Sequence, residues 1–392
     1  MLKVLTAGES HGKALVGILE GMPAGVPLVP EDFIGLMERR QSGYGRGPRR
    51  LLEPDRVEIL SGVWRGLTIG SPIALLIWNR DHRFAVLEPP PLEAEEPTEA
   101  PLTVPLPGHA DLAGALKYGF DDVRPVRERA SARETAIRAA LSVPARRLLQ
   151  ELGVEGVGFV VAVGGQAARV PARATVASIR ASLDRQARWF LTPDARIVPV
   201  WKRLIDQARR DGDSLGGVVE VWVEGLPPGL GSHVDPARRL DTRLAAALMG
   251  IQAVRAVEIG EGIRQSSLPG RQALDPIEFS AKRGWHRPSN RAGGIEGGMT
   301  TGERLVVRAF MKPVPGPCRL PSVDLRTGRP AVPAFYRSDT CAVDALAGVA
   351  ESVVILELAS ALLEKFGGDT LEELAVALEA YRRRVAKFAG SA

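Results

Sequence analysis

The sequence contains little cysteine, little histidine and few aromatic residues. Its 392 residues include two cysteines, Cys318 and Cys341, five histidines and only 5% aromatic residues. Two cysteines cannot form a disulfide framework, and there is neither a CxxC pair nor an HExxH segment to suggest zinc. We therefore expect two free thiols in a reducing compartment and no bound metal.

Long apolar runs are missing as well. No stretch reaches the roughly 18 uninterrupted apolar residues of a membrane span, and the opening segment MLKVLTAGESHG has too short an apolar run for a signal peptide. Apolar residues make up 45% of the chain and charged residues 25%, as in ordinary globular proteins. The sequence predicts a cytoplasmic protein without a membrane segment, long enough for one large core or two domains.

Strand and helix patterns are mixed, without the regular alternation of a parallel α/β sheet. The patterns predict strands over 2–7, 16–22, 56–66, 71–79, 154–170, 216–231, 257–260 and 304–313. They predict helices over 30–43, 126–153 with a break before Pro144, 174–190 and 201–212, and two amphipathic helices over 339–366 and 369–388. Residues 44–54 are expected to be a loop, and the segment 88–107, rich in proline and glutamate, a mobile surface segment. This mixture favours an α+β fold with antiparallel sheets.

Arginine dominates the basic residues. Only eight of the 51 basic residues are lysine, and the net charge is +5. The arginine guanidinium is a planar fork that fits carboxylates and phosphates. Three groups of arginines stand out: Arg39, Arg40, Arg46, Arg49 and Arg50; then Arg124, Arg127, Arg129 and Arg133; then Arg337 beside Asp339.

The first arginine group suits an anionic ligand. Residues 39–50 interleave arginine with glycine and contain no carboxylate. RNA is the competing ligand, but Tyr44 is the only aromatic residue there on which a base could stack.

Two histidines and one glycine-rich stretch are further candidates for a site. His11 lies in GESHG and His109 in PGHAD, where neighbouring glycines permit tight turns and close approach of a ligand. A loop histidine can transfer a proton near neutral pH. Residues 290–302 are glycine-rich and expose backbone N–H groups, although they lack GxGxxG or Walker spacing. These features indicate an enzyme for a small polyanionic ligand without specifying its reaction.

At these segments the chain resembles chorismate synthases. Matching text occurs in order along the chain as TAGESHGKALVGILEGMPAG (6–25), RRQSGYGRG (39–47), LPGHADLAGALKYGFDDVR (106–124), ERASARETA (128–136), NRAGGIEGGMTTGE (290–303) and RSDTCAVDALAGVAES (337–352). Several long matches at distant positions are far less probable by chance than one short motif.

The resemblance implies a lyase of the shikimate pathway, which leads to the aromatic amino acids. Members of that family convert 5-enolpyruvylshikimate 3-phosphate to chorismate by anti-1,4 elimination of phosphate with loss of a ring proton. They need reduced FMN although the reaction has no net redox change, and the flavin is thought to donate an electron transiently. The alternatives are a flavin-dependent oxidoreductase with net hydride transfer and a basic RNA-binding protein.

The resemblance also assigns roles to residues. His11 would protonate or hydrogen-bond the reduced flavin ring, His109 would protonate the departing phosphate, and Asp339 would help to remove the ring proton. The implied substrate-binding residues are Ser10, Arg40, Arg46, Arg49, Arg124, Arg133 and Arg337. The implied FMN-binding residues are Arg129, Ala130, Ser131, Gln252, Ala253, Gly297, Lys312, Pro313, Val314, Pro315, Gly316 and Arg337.

Fold and partners follow from the same resemblance. It implies a β-α-β sandwich with helices between antiparallel sheets, in a single domain over 1–392, and a homotetramer. No nucleic acid or membrane is expected as a partner. Some relatives reduce their own flavin with NADPH, but this chain has no dinucleotide fingerprint, so we expect an external flavin reductant. Gly316 stands where the family usually has threonine.

Overall fold

The computed structural model describes residues 2–47, 55–81, 100–171, 173–186, 190–281, 283–334 and 338–388. Its strands in chain order are β1 (Lys3–Ala7), β2 (Ala14–Glu20), β3 (Glu58–Ile59), β4 (Val63–Trp64), β5 (Leu67–Thr68), β6 (Ile73–Trp78), β7 (Glu155–Val163), β8 (Gln166–Ala167), β9 (Gly217–Glu224), β10 (Val254–Ile259), β11 (Glu278–Ser280), β12 (Gly284–His286), β13 (Ile295–Glu296), β14 (Met299–Thr300), β15 (Leu305–Met311), β16 (Ser322–Val323) and β17 (Pro330–Ala331).

The helices of this part of the chain are α1 (Ile34–Gln41), α2 (Asp111–Tyr118), α3 (Arg124–Arg129), α4 (Thr135–Glu151), α5 (Val176–Gln186), α6 (Val198–Arg210), α7 (Leu240–Met249), α8 (Gly262–Gln265), α9 (Gly270–Ala273), α10 (Val343–Phe366) and α11 (Leu371–Lys387). Short 3₁₀ turns lie at Pro30–Phe33, Ala132–Glu134 and Pro236–Arg238.

Two antiparallel sheets enclose a layer of helices. One sheet has the order β1-β2-β6-β3 and the other the order β10-β15-β9-β7-β8. Helix α4 packs on β2 and β6, α10 packs on β7 and β9, and the two helices pack on each other. The α+β fold class and the β-α-β sandwich are therefore confirmed.

Glycines let the central helices approach both sheets closely. A Cβ on Gly17 of β2 would lie 2.7 Å from the Ile137 side chain of α4, and a Cβ on Gly158 of β7 would lie 2.2 Å from the Ala347 carbonyl oxygen of α10. The second contact is with backbone, which cannot move aside without shifting the helix. One hydrophobic cluster extends from Leu15 to Leu378 and includes residues of both sheets and of the helices between them. The prediction of a single domain is consistent with this cluster but stays a prediction.

Helix α10 is buried on all sides rather than amphipathic. Nineteen of its 24 residues are buried, because the helix lies between α4 and the five-stranded sheet and carries no continuous polar face. It is also long and apolar enough to cross a membrane, but 94% of its most apolar window is buried within the protein, as in a core helix. The prediction of an amphipathic helix is therefore wrong for this segment and right for α11, where Leu374 and Leu378 are buried and much of the rest is exposed.

The helix predicted over 126–153 is interrupted at a different place. Helix α4 continues through Pro144, and the interruption lies at Ser131, whose extended backbone separates α3 from the turn before α4. The Ser131 hydroxyl accepts a hydrogen bond from the Arg133 N–H, as an N-terminal cap does. Proline at 144 cannot donate to the carbonyl of Ala140, and core packing on both sides of α4 outweighs this loss.

Two further predicted segments differ in detail. The strand predicted over 56–66 is divided: β3 ends at Ile59, and β4 pairs with β5 around a turn at Arg65 and Gly66, both with positive φ. In the predicted mobile segment, residues 88–99 lie outside the described part of the chain. Residues 100–107 of that segment are held by hydrogen bonds. Val123 N–H donates to the Leu102 carbonyl, and Leu106 N–H donates to Asp111.

A buried carboxyl lies in the first turn of α10. Asp344 accepts a hydrogen bond from Leu191 N–H at 2.8 Å, while its Oδ2 is buried and has no hydrogen-bond partner. Burial raises the pKa of Asp344 to about 7, against the opposing effects of the Leu191 N–H and the positive charge of Arg46. Because the folded pKa exceeds the unfolded value, the folded state binds more protons between the two values, and stability falls as the pH rises through about 7.

Replacing this carboxyl with an amide tests that sign. We compare the unfolding free energy of Asp344→Asn with that of the unsubstituted protein. The difference, variant minus unsubstituted, should be more positive at about pH 8 than at about pH 5, by on the order of 2 kcal/mol. Chemical denaturation at both pH values measures it. Glu379→Gln, on the exposed face of α11, is the control and should give no such difference. An Asp344→Asn effect that is equal at the two pH values would contradict the account.

Candidate active site

The loop between β1 and β2 is hydrogen-bonded to the last residues of α3 and to Ser131, which follows that helix. Ser10 N–H donates to the Glu128 carbonyl at 3.1 Å, and His11 N–H donates to Glu128 Oε2 at 2.7 Å. The His11 ring meets the same carboxylate, with Nδ1 2.9 Å from Glu128 Oε1. Arg129 donates to the Gly8 and Thr6 carbonyls, and Ser131 Oγ lies 3.2 Å from Ser10 Oγ. His11 is thus held in place by residues more than 100 positions away.

His109 is held by a carboxylate in the same manner. Its Nδ1 lies 2.6 Å from Asp111 Oδ1, and the other oxygen of Asp111 accepts from Arg127 Nε at 3.0 Å and from Leu106 N–H at 2.9 Å. Asp111 is fully buried. Burial raises the pKa of Asp111, but the hydrogen bonds from His109, Arg127 and Leu106 outweigh it and hold the pKa below its usual value. Asp111 is therefore ionised at neutral pH.

Two of the predicted substrate-binding arginines share one buried carboxylate. Asp55 pairs with Arg40 Nη1 at 2.8 Å and with Arg133 Nη1, and Arg133 Nε donates to Asn79 Oδ1 at 3.0 Å. Arg40 also donates to Thr135 Oγ1. Burial raises the pKa of Asp55, but the two arginines bring it below its usual value. Burial lowers the pKa of Arg40 to about 10, which leaves it protonated at neutral pH.

Asp339 is held by Arg46 and Gly47, which lie in the loop after α1, called here the glycine-arginine loop. Its Oδ2 lies 2.9 Å from Arg46 Nη1, and its Oδ1 accepts from Gly47 N–H at 2.6 Å. Both carboxylate oxygens are therefore engaged. Arg46 Nε is buried and has no hydrogen-bond partner.

Three further segments converge on the same region. Lys312 N–H donates to the Ala253 carbonyl at 3.0 Å, and Lys312 Nζ donates to the Gly108 carbonyl beside His109. Gln252 Nε2 lies 3.4 Å from Glu134 Oε2, and Glu134 accepts in turn from Thr6 Oγ1 at 2.9 Å. Ala253 has a φ of +68°, an unusual backbone conformation for a residue other than glycine.

The turn after Lys312 reaches the segment that carries Asp339. Ser214 Oγ donates to the Val314 carbonyl at 2.6 Å. A Cβ on Gly316 would lie 2.5 Å from Ser338 Oγ. Ser338, the neighbour of Asp339, therefore occupies the space beside Gly316 in which a larger residue would collide.

Most of the predicted site residues thus form one connected group. It includes Ser10, His11, Arg40, Arg46, His109, Arg129, Ala130, Ser131, Arg133, Gln252, Ala253, Lys312, Pro313, Val314, Pro315, Gly316 and Asp339. Arg124 pairs with Asp122 at the start of α3, and Gly297 lies in the turn between β13 and β14; the described contacts do not tie either one directly to the group. Arg49 and Arg337 lie outside the described residues.

The sequence analysis did not predict which carboxylates pair with the arginines and histidines of the site. Residues 39–50 contain no acid, but Arg40 and Arg46 are paired with Asp55 and Asp339, which come from other segments. Asp111 follows His109 by two residues in the sequence, and this spacing could have indicated the pair. Nothing in the sequence near His11 or Glu128 indicates that these two residues pair. Among the described residues, no group of three or more His, Cys, Asp or Glu side chains is arranged to hold a metal ion.

Comparisons with known proteins agree on one family. The family model for chorismate synthase matches residues 2–363. The chorismate synthase of Desulforudis audaxviator is 51% identical over 385 residues, covering 98% of this chain and 97% of the relative. That of Thermus thermophilus is 48% identical over 387 residues, covering 98% and 99%.

A solved structure agrees with these sequence comparisons. A crystal structure of a chorismate synthase is similar with a TM-score of 0.80 and 38% identity, covering 98% of each chain. The sequence and the fold therefore lead to the same conclusion: the chain belongs to the chorismate synthase family.

Proposed function

We propose that this chain converts 5-enolpyruvylshikimate 3-phosphate to chorismate by 1,4-elimination of phosphate, with reduced FMN as cofactor. The observation that carries the proposal is the convergence of two carboxylate-held histidines, a carboxylate and several arginines from distant segments. Family membership supplies the reaction, and these side chains supply the chemistry that it needs. Reduced FMN, when bound, supplies the transient electron donation that makes phosphate a better leaving group.

The arginines are proposed to bind the anionic groups of the substrate. The substrate carries two carboxylates and a phosphate, and guanidinium groups bind such oxygens through paired hydrogen bonds. Arg40 and Arg133 are fixed by Asp55 and so present their remaining N–H groups in a defined direction. Arg46 holds Asp339 through Nη1, and its buried Nε has no hydrogen-bond partner, so this N–H remains for a ligand oxygen.

Asp339 is proposed to accept the ring proton, because each of its oxygens makes one described contact and an ionised carboxylate oxygen has two lone pairs. His109 is proposed to protonate the departing phosphate, and His11 to donate to the reduced flavin.

Several features of this chain fit an isoalloxazine ring. Gln252 Oε1 is buried without a hydrogen-bond partner and can accept from a ring N–H. The positive φ of Ala253 and the turn that follows Lys312 bring backbone groups to the same place. We propose that these residues, together with Arg129, Ala130 and Ser131, hold FMN.

Dependence on reduced flavin tests the proposed activity. We expect the purified chain to release phosphate from 5-enolpyruvylshikimate 3-phosphate under anaerobic conditions with chemically reduced FMN and not with oxidised FMN. With NADPH and oxidised FMN but no reductase, sustained turnover is not expected, since we propose an external reductant. Equal rates with oxidised and reduced FMN would refute the proposed activity, and sustained turnover with NADPH alone would refute the external reductant.

Alanine substitutions test the two histidines. We expect kcat with reduced FMN to fall roughly 10²- to 10⁴-fold for His11→Ala and for His109→Ala, the usual loss for a proton-transferring group. KM should change less, because the arginines supply most of the anion affinity. His286, which lies in a hairpin away from this group, is the control, and His286→Ala should keep the unsubstituted rate. Near-normal kcat for both site variants would remove the assignment.

A cytoplasmic homotetramer is the proposed state of the protein. The outer face of the N-terminal sheet exposes apolar side chains, among them Leu5, Ile18 and Trp78, which another copy of the chain can cover. Sedimentation equilibrium should give four times the 42.0 kDa chain mass. A mass of one chain at micromolar concentration would contradict the tetramer.

A further inference from the structure

We infer that Asp111 and Glu128 are positioning residues, which hold His109 and His11 with the proton on Nδ1 and make Nε2 the nitrogen that exchanges protons with ligands. The expected effect on turnover rests on the proposed function. The hydrogen bonds between each carboxylate and its histidine are present in the chain without any ligand. These two carboxylates are additional to the residues that the resemblance assigns.

Asp111 can only accept hydrogen bonds. The contacts from Arg127 and Leu106 keep it ionised, and an ionised carboxylate has no proton to donate. Its 2.6 Å contact with His109 Nδ1 therefore requires that Nδ1 carry the proton. In neutral imidazole the other nitrogen, Nε2, is then an acceptor, and in imidazolium it is the acid.

Glu128, when ionised, can only accept hydrogen bonds and imposes the same arrangement on His11 through two contacts. One oxygen accepts from the His11 backbone N–H at 2.7 Å, and the other lies 2.9 Å from His11 Nδ1. The carboxylate thereby spans the backbone and the ring of one residue, which fixes the side-chain torsion as well as the tautomer. Glu128 is itself fixed, because its carbonyl accepts from Ser10 N–H and its side chain is buried.

The two pairs share one geometry although they come from different segments. In each, a buried carboxylate meets Nδ1 at hydrogen-bond distance and the Nε2 edge of the ring points away from it. Such a carboxylate also stabilises the imidazolium that forms when Nε2 takes up a proton. Each histidine can therefore pass a proton through Nε2 and return to the same tautomer.

Among the described histidines, His286 is the third with a carboxylate neighbour, and it provides a contrast. His286 Nδ1 lies 3.0 Å from the Gly284 carbonyl, and its Nε2 lies 3.5 Å from Glu278 Oε2 on a partly exposed hairpin. In this case the carboxylate faces Nε2 rather than Nδ1. Glu278→Gln is therefore a matched carboxylate-to-amide control outside the candidate active site.

Nitrogen NMR of the unsubstituted protein tests the tautomers directly. With ¹⁵N-labelled histidine and only five histidines in the chain, assignment by His11→Ala and His109→Ala identifies both rings. We expect Nδ1 of both rings to carry the proton in the neutral imidazole, so that Nε2 is the nitrogen that gains or loses a proton. Loss of the Nδ1 proton first, in either ring, would overturn the inference for that pair.

Amide substitutions test the consequence for turnover. An asparagine or glutamine amide can donate N–H to Nδ1 and so permit the opposite tautomer. We expect Asp111→Asn and Glu128→Gln each to lower kcat by about 10²-fold or more, with a smaller change in KM and with the ¹⁵N spectrum of the paired ring showing protonated Nε2. Glu278→Gln should leave kcat unchanged.

The outcomes separate this inference from the proposed function. Folded amide variants with the kcat of the unsubstituted protein would overturn it. If Asp111→Asn does not fold, Glu128→Gln and the spectrum of the unsubstituted protein decide the matter. If both rings show the Nδ1–H tautomer and yet no phosphate is released with reduced FMN, the proposed function fails and the positioning of the rings stands.

Discussion

Buried carboxylates hold the arginine and histidine side chains of the candidate active site, and the loops around the site depend on these contacts. Asp55 lies between Arg40 and Arg133, Asp111 joins His109 to Arg127, and Glu128 joins the ring and backbone of His11. A charge removed from water is tolerated only when it is paired and hydrogen-bonded, and removing one partner leaves the other uncompensated. Each pair is therefore sensitive to loss of either member, and each fixes the direction of the groups that remain for a ligand.

The sandwich makes these pairs possible. Helices α4 and α10 lie between the sheets, and glycines such as Gly158 allow them to approach closely. The segment before α4 thereby meets the loop after β1, and the segment before α10 meets the glycine-arginine loop after α1. Asp339 is held in a comparable way, with Arg46 Nη1 on one oxygen and Gly47 N–H on the other.

The sequence allowed the family and the fold class to be predicted, because the motifs around His11, His109 and Asp339 are long and distinctive; the roles of the site residues stay predictions. The partners of these residues were not predictable in the same way. His11 and Glu128 are 117 positions apart, and Arg133 and Asp55 are 78 apart, so their pairing depends on tertiary packing. The same limit explains the errors in the helices. Core packing carries α4 through Pro144 and buries α10 on all sides, whereas local pattern suggested a break in one and an exposed face in the other.

We propose that this chain eliminates phosphate with a flavin that is needed but not consumed. Anaerobic turnover with substrate in large excess over reduced FMN tests it directly, with released phosphate and flavin absorbance followed in the same cuvette. We expect many phosphates to be released for each flavin, with the flavin still reduced at the end. Oxidation of one flavin for each product formed would contradict it, and would instead indicate an oxidoreductase with net hydride transfer.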